Sequence, residues 1–343
     1  MHAVIEDIEY LLPERTETSE ELARQFPGWS LDKIAERTGV LMRRIAGDDE
    51  CASDLAVACC ERLLARRREC AADFDFLLFC TQTPDYFLPT TACLVQERLG
   101  LPTSAGALDI NLGCSGYVYA LGLAKGLIET GQARRLLLVT ADTYSKFVHP
   151  GDKSVRALFG DAAAATVISA DAGANTIGPF VYGTDGRGAG DLIVPMGGMR
   201  EPFGDAPPEE YADRFGNRRS ARHVRMNGKA IVDFSLREVP QCVATLCERA
   251  GITLDDVDAV VPHQASAKVL NGLRNKLGLD ESRFWVYMND IGNTVSCSIP
   301  IALARAGEQG RLRDGMRLML VGFGVGLSWG ATLVTWRPSE SGD

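Results

Sequence analysis

Three residues of this 343-residue chain have types and positions that could do acyl chemistry together. Cys114 sits in Asp109-Ile-Asn-Leu-Gly-Cys-Ser-Gly116, where an apolar run ends and a mostly apolar helical pattern begins. A thiol there would feel the positive end of the helix dipole, which favours thiolate. Gly113 and Gly116 permit a sharp turn and close approach of a substrate. His263 follows Val-Asp-Ala-Val-Val-Pro and again stands between an apolar run and a helical pattern. Of the four histidines, it alone occupies the place where α/β sheets build active sites, beyond the strand C-termini. Asn293 lies in Ile291-Gly-Asn-Thr-Val295, a loop ahead of a helix. Singly, each residue has a plainer reading: one more buried thiol among ten cysteines, a histidine satisfied at a strand end, an asparagine in turn chemistry. Together they supply a nucleophile and two hydrogen-bond donors. That set suits acyl transfer, in which a thiolate takes the acyl group and neutral His and Asn donate to a developing oxyanion.

The elements that must hold these residues are legible as alternating apolar runs and helical patterns. Residues 74–80, 107–111, 135–141 and 163–169 read as buried strands, with helices over Ser53–Arg67, Thr91–Leu99 and Ser115–Thr130. The second half repeats the plan. Strands are expected at 257–261, 317–323 and 331–336, and helices at Ile231–Ala250, Ala267–Leu277 and Ile299–Glu308. Such alternation predicts crossover connections and a mostly parallel, covered sheet. The stretch from Cys114 through a helix to Gly131 and RLLLV matches the stretch from Asn293 through a helix to Gly310 and RLMLV, which suggests a duplicated α/β unit. Its halves would be residues 1–172, carrying the cysteine, and 173–343, carrying His and Asn, with a seam near Asp171–Gly178. The Gly- and Pro-rich, charged segment at about 183–228 is too long for a plain connection; such loops are functional covers or disordered segments. The polar tail Arg337–Asp343 is expected to be mobile.

Composition excludes several classes. Thirty-six basic against forty-five acidic residues give a net charge of −9, which argues against broad binding to nucleic acid or an anionic membrane, though not against a local basic patch. One such patch is visible: Arg214, Arg218, Arg219, Arg222, Arg225 and Lys229, followed by Lys268, Arg274 and Lys276 beside His263. Its alternatives are a solvated face or a rim for an acidic partner. No apolar stretch reaches the ~20 residues of a membrane span. The N-terminus lacks a basic region followed by an apolar run, so a cytosolic protein with reduced thiols is expected. No CxxC pair, metal-ligand spacing, P-loop or GxSxG elbow occurs. Gly322–Gly330 matches a dinucleotide GxGxxG only superficially, because another strand follows it rather than a phosphate-capping helix.

The motifs as a set resemble the β-ketoacyl-acyl carrier protein synthase III family, condensing enzymes of the thiolase superfamily. The resemblance runs from about Arg37 to Trp336. It rests on Arg37-Thr-Gly39 with Arg44-Ile-Ala46, the Cys114 motif, Phe159-Gly-Asp161, Pro262-His-Gln-Ala265, Gly292-Asn-Thr294 and Gly322–Gly330. It implies an α/β thiolase-like five-layer αβαβα fold of two similar halves, and a homodimer. It further implies that Cys114 accepts an acyl group from acyl-CoA. Malonyl-acyl carrier protein then loses CO2 while His263 and Asn293 donate to the enolate oxygen, and the carbanion attacks the acyl-cysteine. By the same resemblance Gly324, Val325 and Gly326 form an oxyanion loop. Phe159 lines the acyl pocket, and the Tyr86–Leu88 segment, with Phe87 and Leu88, reaches the partner subunit's acyl channel. Arg37, Lys153, Arg222, Gln264, Ala265 and Lys268 would bind CoA or the carrier. Neither metal nor redox cofactor is implied; the CoA thioester and the phosphopantetheinyl carrier are substrates.

Departures from the family pattern are specific. Val325 stands where a glycine is typical, which predicts a reshaped loop, since non-glycine residues rarely take positive φ. Lys33 stands where a tryptophan commonly stacks on the coenzyme adenine. Lys153 aligns with an arginine of the nucleotide site, keeping the charge but losing bidentate geometry. The insertion is longer than in housekeeping enzymes, so a specialised lipid, polyketide or surface-sugar pathway stands beside fatty acid biosynthesis. Other readings are an acyltransferase of the same fold serving an alcohol or amine, with His263 as general base, and a non-catalytic partner subunit. Asn293 favours condensation over the first, and the intact Cys, His and Asn argue against the second. Plant-type polyketide synthases share a Cys-His-Asn set but commonly run longer and carry a proline at the Val325 position.

Overall fold

The computed structural model describes residues 1–26, 30–173 and 176–337. Two mixed sheets face one another across a central layer of helices. The first has the strand order Gly106–Ile110, Phe76–Cys80, Arg135–Asp142, Ala162–Asp171, His2–Leu11. Its first three strands are parallel and its last two antiparallel to their neighbours. The second has Ala259–Pro262, Arg317–Gly324, Ser328–Thr335, Ile177–Thr184 in the same sense. A single parallel bridge from Val260 to Phe284 stands where the first sheet has its Gly106–Ile110 edge. The two sheets therefore share one strand plan.

The helices Gly116–Glu129 and Ser298–Glu308 lie between the sheets. The first buries Tyr117, Val118, Leu121, Ala124 and Ile128 on more than one face, as a helix flanked by two sheets must. Ala52–Arg67 and Thr91–Leu99 cover the outer face of the first sheet, and Gly228–Ala250 and Ala267–Leu277 that of the second. This is the expected five-layer αβαβα order.

The expectation of mostly parallel sheets fails at the same place in both halves. Arg317–Gly324 and Ser328–Thr335 are joined by three residues, too few for a crossover, so they pair antiparallel. In the first half, the link from Asp142 to Ala162 holds only short helical turns, and the pairing is again antiparallel. Within these two sheets, two strands lay outside the sequence expectation altogether. His2–Leu11 mixes charged and apolar residues without clean alternation. Ile177–Thr184 lies over the proposed seam and the start of the insertion. The 183–228 segment is built rather than loose: Leu192–Ile193 pairs with Arg225–Met226, and Tyr211–Ala212 with Arg218–Arg219. The tail expectation falls, beyond Arg337, outside the described residues, as do positions 174 and 175 of the seam.

Candidate active site

Each of the three chemical residues leaves an element of the core. The strand Gly106–Ile110 ends four residues before Cys114, and the helix begins at Gly116. His263 directly follows Ala259–Pro262, and its N–H donates to the Val321 carbonyl at 2.7 Å. Asn293 is stitched to the other half: its N–H donates to the Leu158 carbonyl at 2.9 Å, and it accepts from Gly160 N–H at 3.0 Å. That exchange makes Phe159 and Asn293 bridge partners. Cys114, His263 and Asn293 line one inner cavity of about 380 Å³ with Phe159, Phe323 and Gly324.

Burial sets the protonation of this floor. It pushes the Cys114 thiol up to about 12, with the backbone N–H groups of Val325 and Cys114 itself acting the other way. The expected preference for thiolate at the helix start is therefore overridden in the closed site, where charging a thiol means desolvating an anion. Burial likewise lowers His263 to about 3, so its imidazole is neutral. Nδ1 lies 2.7 Å from Ser298 Oγ. Nε2 lies 3.4 Å from Asn293 Nδ2, which also donates to the Ala265 carbonyl at 3.2 Å. Two donor-capable groups thus sit side by side above a thiol.

The glycine loop fits around the sulfur. A Cβ on Gly324 would stand 2.7 Å from Cys114 Sγ, and one on Gly322 2.8 Å from Ser115 Cα, so neither position admits a side chain. Val325 itself does not take the positive φ that a glycine there would allow. Gly326, not Val325, takes the positive φ, at 138°, and Val325 keeps its N–H on the sulfur.

Outside the inner cavity lies a vestibule of about 870 Å³. The two share walls at Arg37, Ser154, Met226 and Lys229. Lys33, Arg37, Arg214 and Arg225 line the vestibule, with no carboxylate partner among the described residues. Phe215 projects into it from the insertion, 64% exposed. The Arg214 guanidinium lies 4.8 Å over its ring, and Lys153 Nζ donates to its carbonyl at 2.9 Å. Asn217, two residues on, is buried with Oδ1 unpaired.

Comparison with known proteins decides the lineage. Residues 108–186 match the family model 3-Oxoacyl-[acyl-carrier-protein (ACP)] synthase III, and residues 247–336 match its C-terminal counterpart. The Streptomyces coelicolor protein named Beta-ketoacyl-[acyl-carrier-protein] synthase III 3 is 37% identical over 327 residues, 95% of this chain and 94% of that one. The chain belongs to the 3-oxoacyl-[acyl-carrier-protein] synthase III family. A crystal structure of a 3-oxoacyl-(acyl-carrier-protein) synthase III superposes with a TM-score of 0.96 at 51% identity, covering 98% of this chain and 100% of that one. The 3-oxoacyl-(acyl-carrier protein) synthase of Burkholderia xenovorans LB400 gives 0.90 at 36% identity, covering 98% and 95%.

Measured against that 3-oxoacyl-[acyl-carrier-protein] synthase III lineage, the structure gathers some of the expected residues and separates others. Cys114, His263, Asn293, Phe159, Gly324, Ala265 and Lys268 line the inner cavity, and Arg37 and Lys153 the vestibule. Gln264 does not face a ligand. Fully buried, its amide donates to the Pro262 and Trp285 carbonyls and accepts from Tyr287 N–H at 2.7 Å, so it braces the strand end. Arg222 lines neither cavity; its guanidinium lies 4.6 Å over Phe203. Phe87 and Leu88 stand out from the chain, 72% and 86% exposed, and do not reach the Cys114 cavity of their own chain. Sequence reasoning missed Ser298, Asp142 and Phe215. Asp142 is wholly buried and accepts from Gln82 N–H at 2.8 Å and from the Ser296 hydroxyl and N–H. It thereby ties the turn after Asn293 to the cysteine half.

Proposed function

We propose that this enzyme catalyses decarboxylative condensation: acyl transfer from acyl-CoA to Cys114, then reaction with malonyl-acyl carrier protein. The observation that carries the reading is a buried thiol sharing one cavity with a neutral imidazole and a carboxamide, reached through a cationic vestibule. In the first half-reaction the Cys114 sulfur attacks the acyl carbonyl, with Val325 N–H beside it. The CoA thiolate leaves and takes up the proton the cysteine gives up. In the second, the malonyl C–C bond to CO2 breaks and its electron pair enters an enolate. Hydrogen bonds from His263 Nε2 and Asn293 Nδ2 stabilise the enolate oxygen. The carbanion attacks the acyl-Cys114 carbonyl, Cys114 leaves as thiolate, and the site is restored by one proton from solvent. Metal or redox chemistry has no step in this sequence.

The vestibule supports CoA as the first donor. Unpaired cations suit its phosphates, and an exposed phenyl ring capped by a guanidinium suits its base. Phe87 and Leu88 fit a homodimer in which each chain's apolar tip completes the acyl pocket of its partner; burying them removes apolar surface from water. Purified enzyme supplied with acyl-CoA and malonyl-carrier should release CO2 and yield the 3-oxoacyl-carrier. Acyl transfer to alcohols or amines without CO2 release would replace this reading with plain acyltransfer.

A further inference from the structure

His263 presents a tautomer problem that the core must solve. A neutral imidazole carries one N–H. With the proton on Nδ1, Nε2 is a lone pair facing Asn293 Nδ2, and the pair offers an oxyanion a single donor. With the proton on Nε2, both groups donate, but Nδ1 then requires a hydrogen bond from elsewhere. Ser298 Oγ, 2.7 Å away, is the hydroxyl in reach. Ser298 and His263 are both 1% exposed, so water does not compete for either.

The hydroxyl has one rival acceptor, the Val295 carbonyl at 3.0 Å. That carbonyl also receives the Ser298 backbone N–H and faces the His263 ring, so the rotation of the hydroxyl proton from the carbonyl to the ring is what decides the tautomer. The turn is held rigidly. Val295 sits at φ 53°, a conformation a β-branched residue avoids. It is held there by its N–H bond to Asn293 Oδ1 at 2.9 Å and by the Ser296 bonds to Asp142. The same four-residue turn therefore aims the Asn293 amide and places Ser298 against the imidazole.

We propose that Ser298 is a positioning residue whose hydroxyl donates to His263 Nδ1, holding the imidazole in the tautomer with its proton on Nε2, beside Asn293. The proposal rests on the condensation reading for its consequence, since a two-donor site matters where an enolate oxygen forms. Acylation of Cys114 does not need the Nε2 proton, so the two half-reactions should respond differently to loss of the hydroxyl.

The direct test is 15N NMR of the full-length protein labelled at histidine. There are four histidines, and a His263→Gln spectrum assigns the resonances of the fourth. A protonated Nε2 and an unprotonated Nδ1 in His263 are expected at neutral pH; protonation at Nδ1 overturns the proposal whatever the enzyme turns over. In Ser298→Ala the proton should move toward Nδ1. Malonyl decarboxylation should then fall on the order of 10²-fold, while acylation by acyl-CoA stays within about twofold of wild type, since no donor to that step is removed. Ser298→Thr, which keeps the hydroxyl, should restore the Nε2 proton and most of the decarboxylation. Equal losses in both half-reactions, with the tautomer unchanged, would show that Ser298 is only packing. A wild-type enzyme that shows the Nε2 proton but decarboxylates no malonyl thioester would overturn the condensation reading and leave the tautomer assignment standing.

Discussion

The floor of the site and the wall of its vestibule are built by opposite means. Cys114, His263 and Asn293 issue from strand ends and turns whose backbone is fixed by sheet register and by bonds such as Asn293 N–H to Leu158. Phe215, Arg214 and Asn217 sit in the loop joining the short strands Tyr211–Ala212 and Arg218–Arg219 of a hairpin within the insertion. That hairpin is held by a few polar contacts, Arg219 to Asp152 and Lys153 to the Phe215 carbonyl among them. Changes to the floor should therefore alter the chemistry at fixed substrate affinity. Changes to the wall should alter which donor is captured, with the chemistry intact.

The sharpest break of that contrast is Asn293→Ala. Removing one of two donors to an enolate oxygen should lower decarboxylation by ~10²–10³ and leave Cys114 acylation largely intact, measured as CO2 release and as acyl-enzyme formed in single turnover. A variant that decarboxylates normally would move the donor role elsewhere. On the wall, Phe215→Ala should raise KM for acyl-CoA by about tenfold, the value of one lost stacking contact on a base. KM for an acyl-pantetheine lacking the nucleotide should not change. Equal losses with both donors would mean that the hairpin only braces the channel. A smaller effect concerns the unpaired cation at the junction of the two cavities. Arg37→Gln should raise KM for acyl-CoA about threefold at low salt, with the difference shrinking as salt screens it.

The floor also carries a pH signature. His263 is lowered in the folded state to about 3, against ~6.5 for an unperturbed histidine. Between those values the unfolded chain binds the extra proton, so this residue's contribution to stability is present above about pH 6.5 and is lost as pH falls toward 3. The stability of wild type relative to His263→Gln should therefore decline between pH 6.5 and 4 in thermal unfolding. A constant difference would place a charged imidazole in the site.

Legibility followed the same division. The core strands and helices were readable because their apolar runs are long and bounded, and Thr91–Leu99 and Ala267–Leu277 match their expected limits residue for residue. His2–Leu11 was not, because an edge strand paired on one side tolerates the charges of Glu6, Asp7 and Glu9, which meet Arg66 and Arg67. The antiparallel turn at Val325 was hidden because a three-residue hairpin leaves no periodic signal. Gln264 was misjudged: its motif position says nothing of where its side chain points, and it points inward. Ser298 left no mark because a serine opening a helix is ordinary capping chemistry. Only the turn at Val295 brings it against His263. The vestibule was visible as charge but not as shape, since pairing with Glu210 neutralises Arg218, while Arg225 stays free to line the cleft.

The condensation reading depends on Cys114 being the acyl acceptor. The most direct measurement is intact-protein mass spectrometry after exposure to acyl-CoA, followed by peptide mapping. One acyl mass should appear, lie on the peptide carrying Cys114, be absent from Cys114→Ala, and disappear when malonyl-carrier is added. An adduct that persists in Cys114→Ala, or that maps to another of the ten cysteines, would contradict the account.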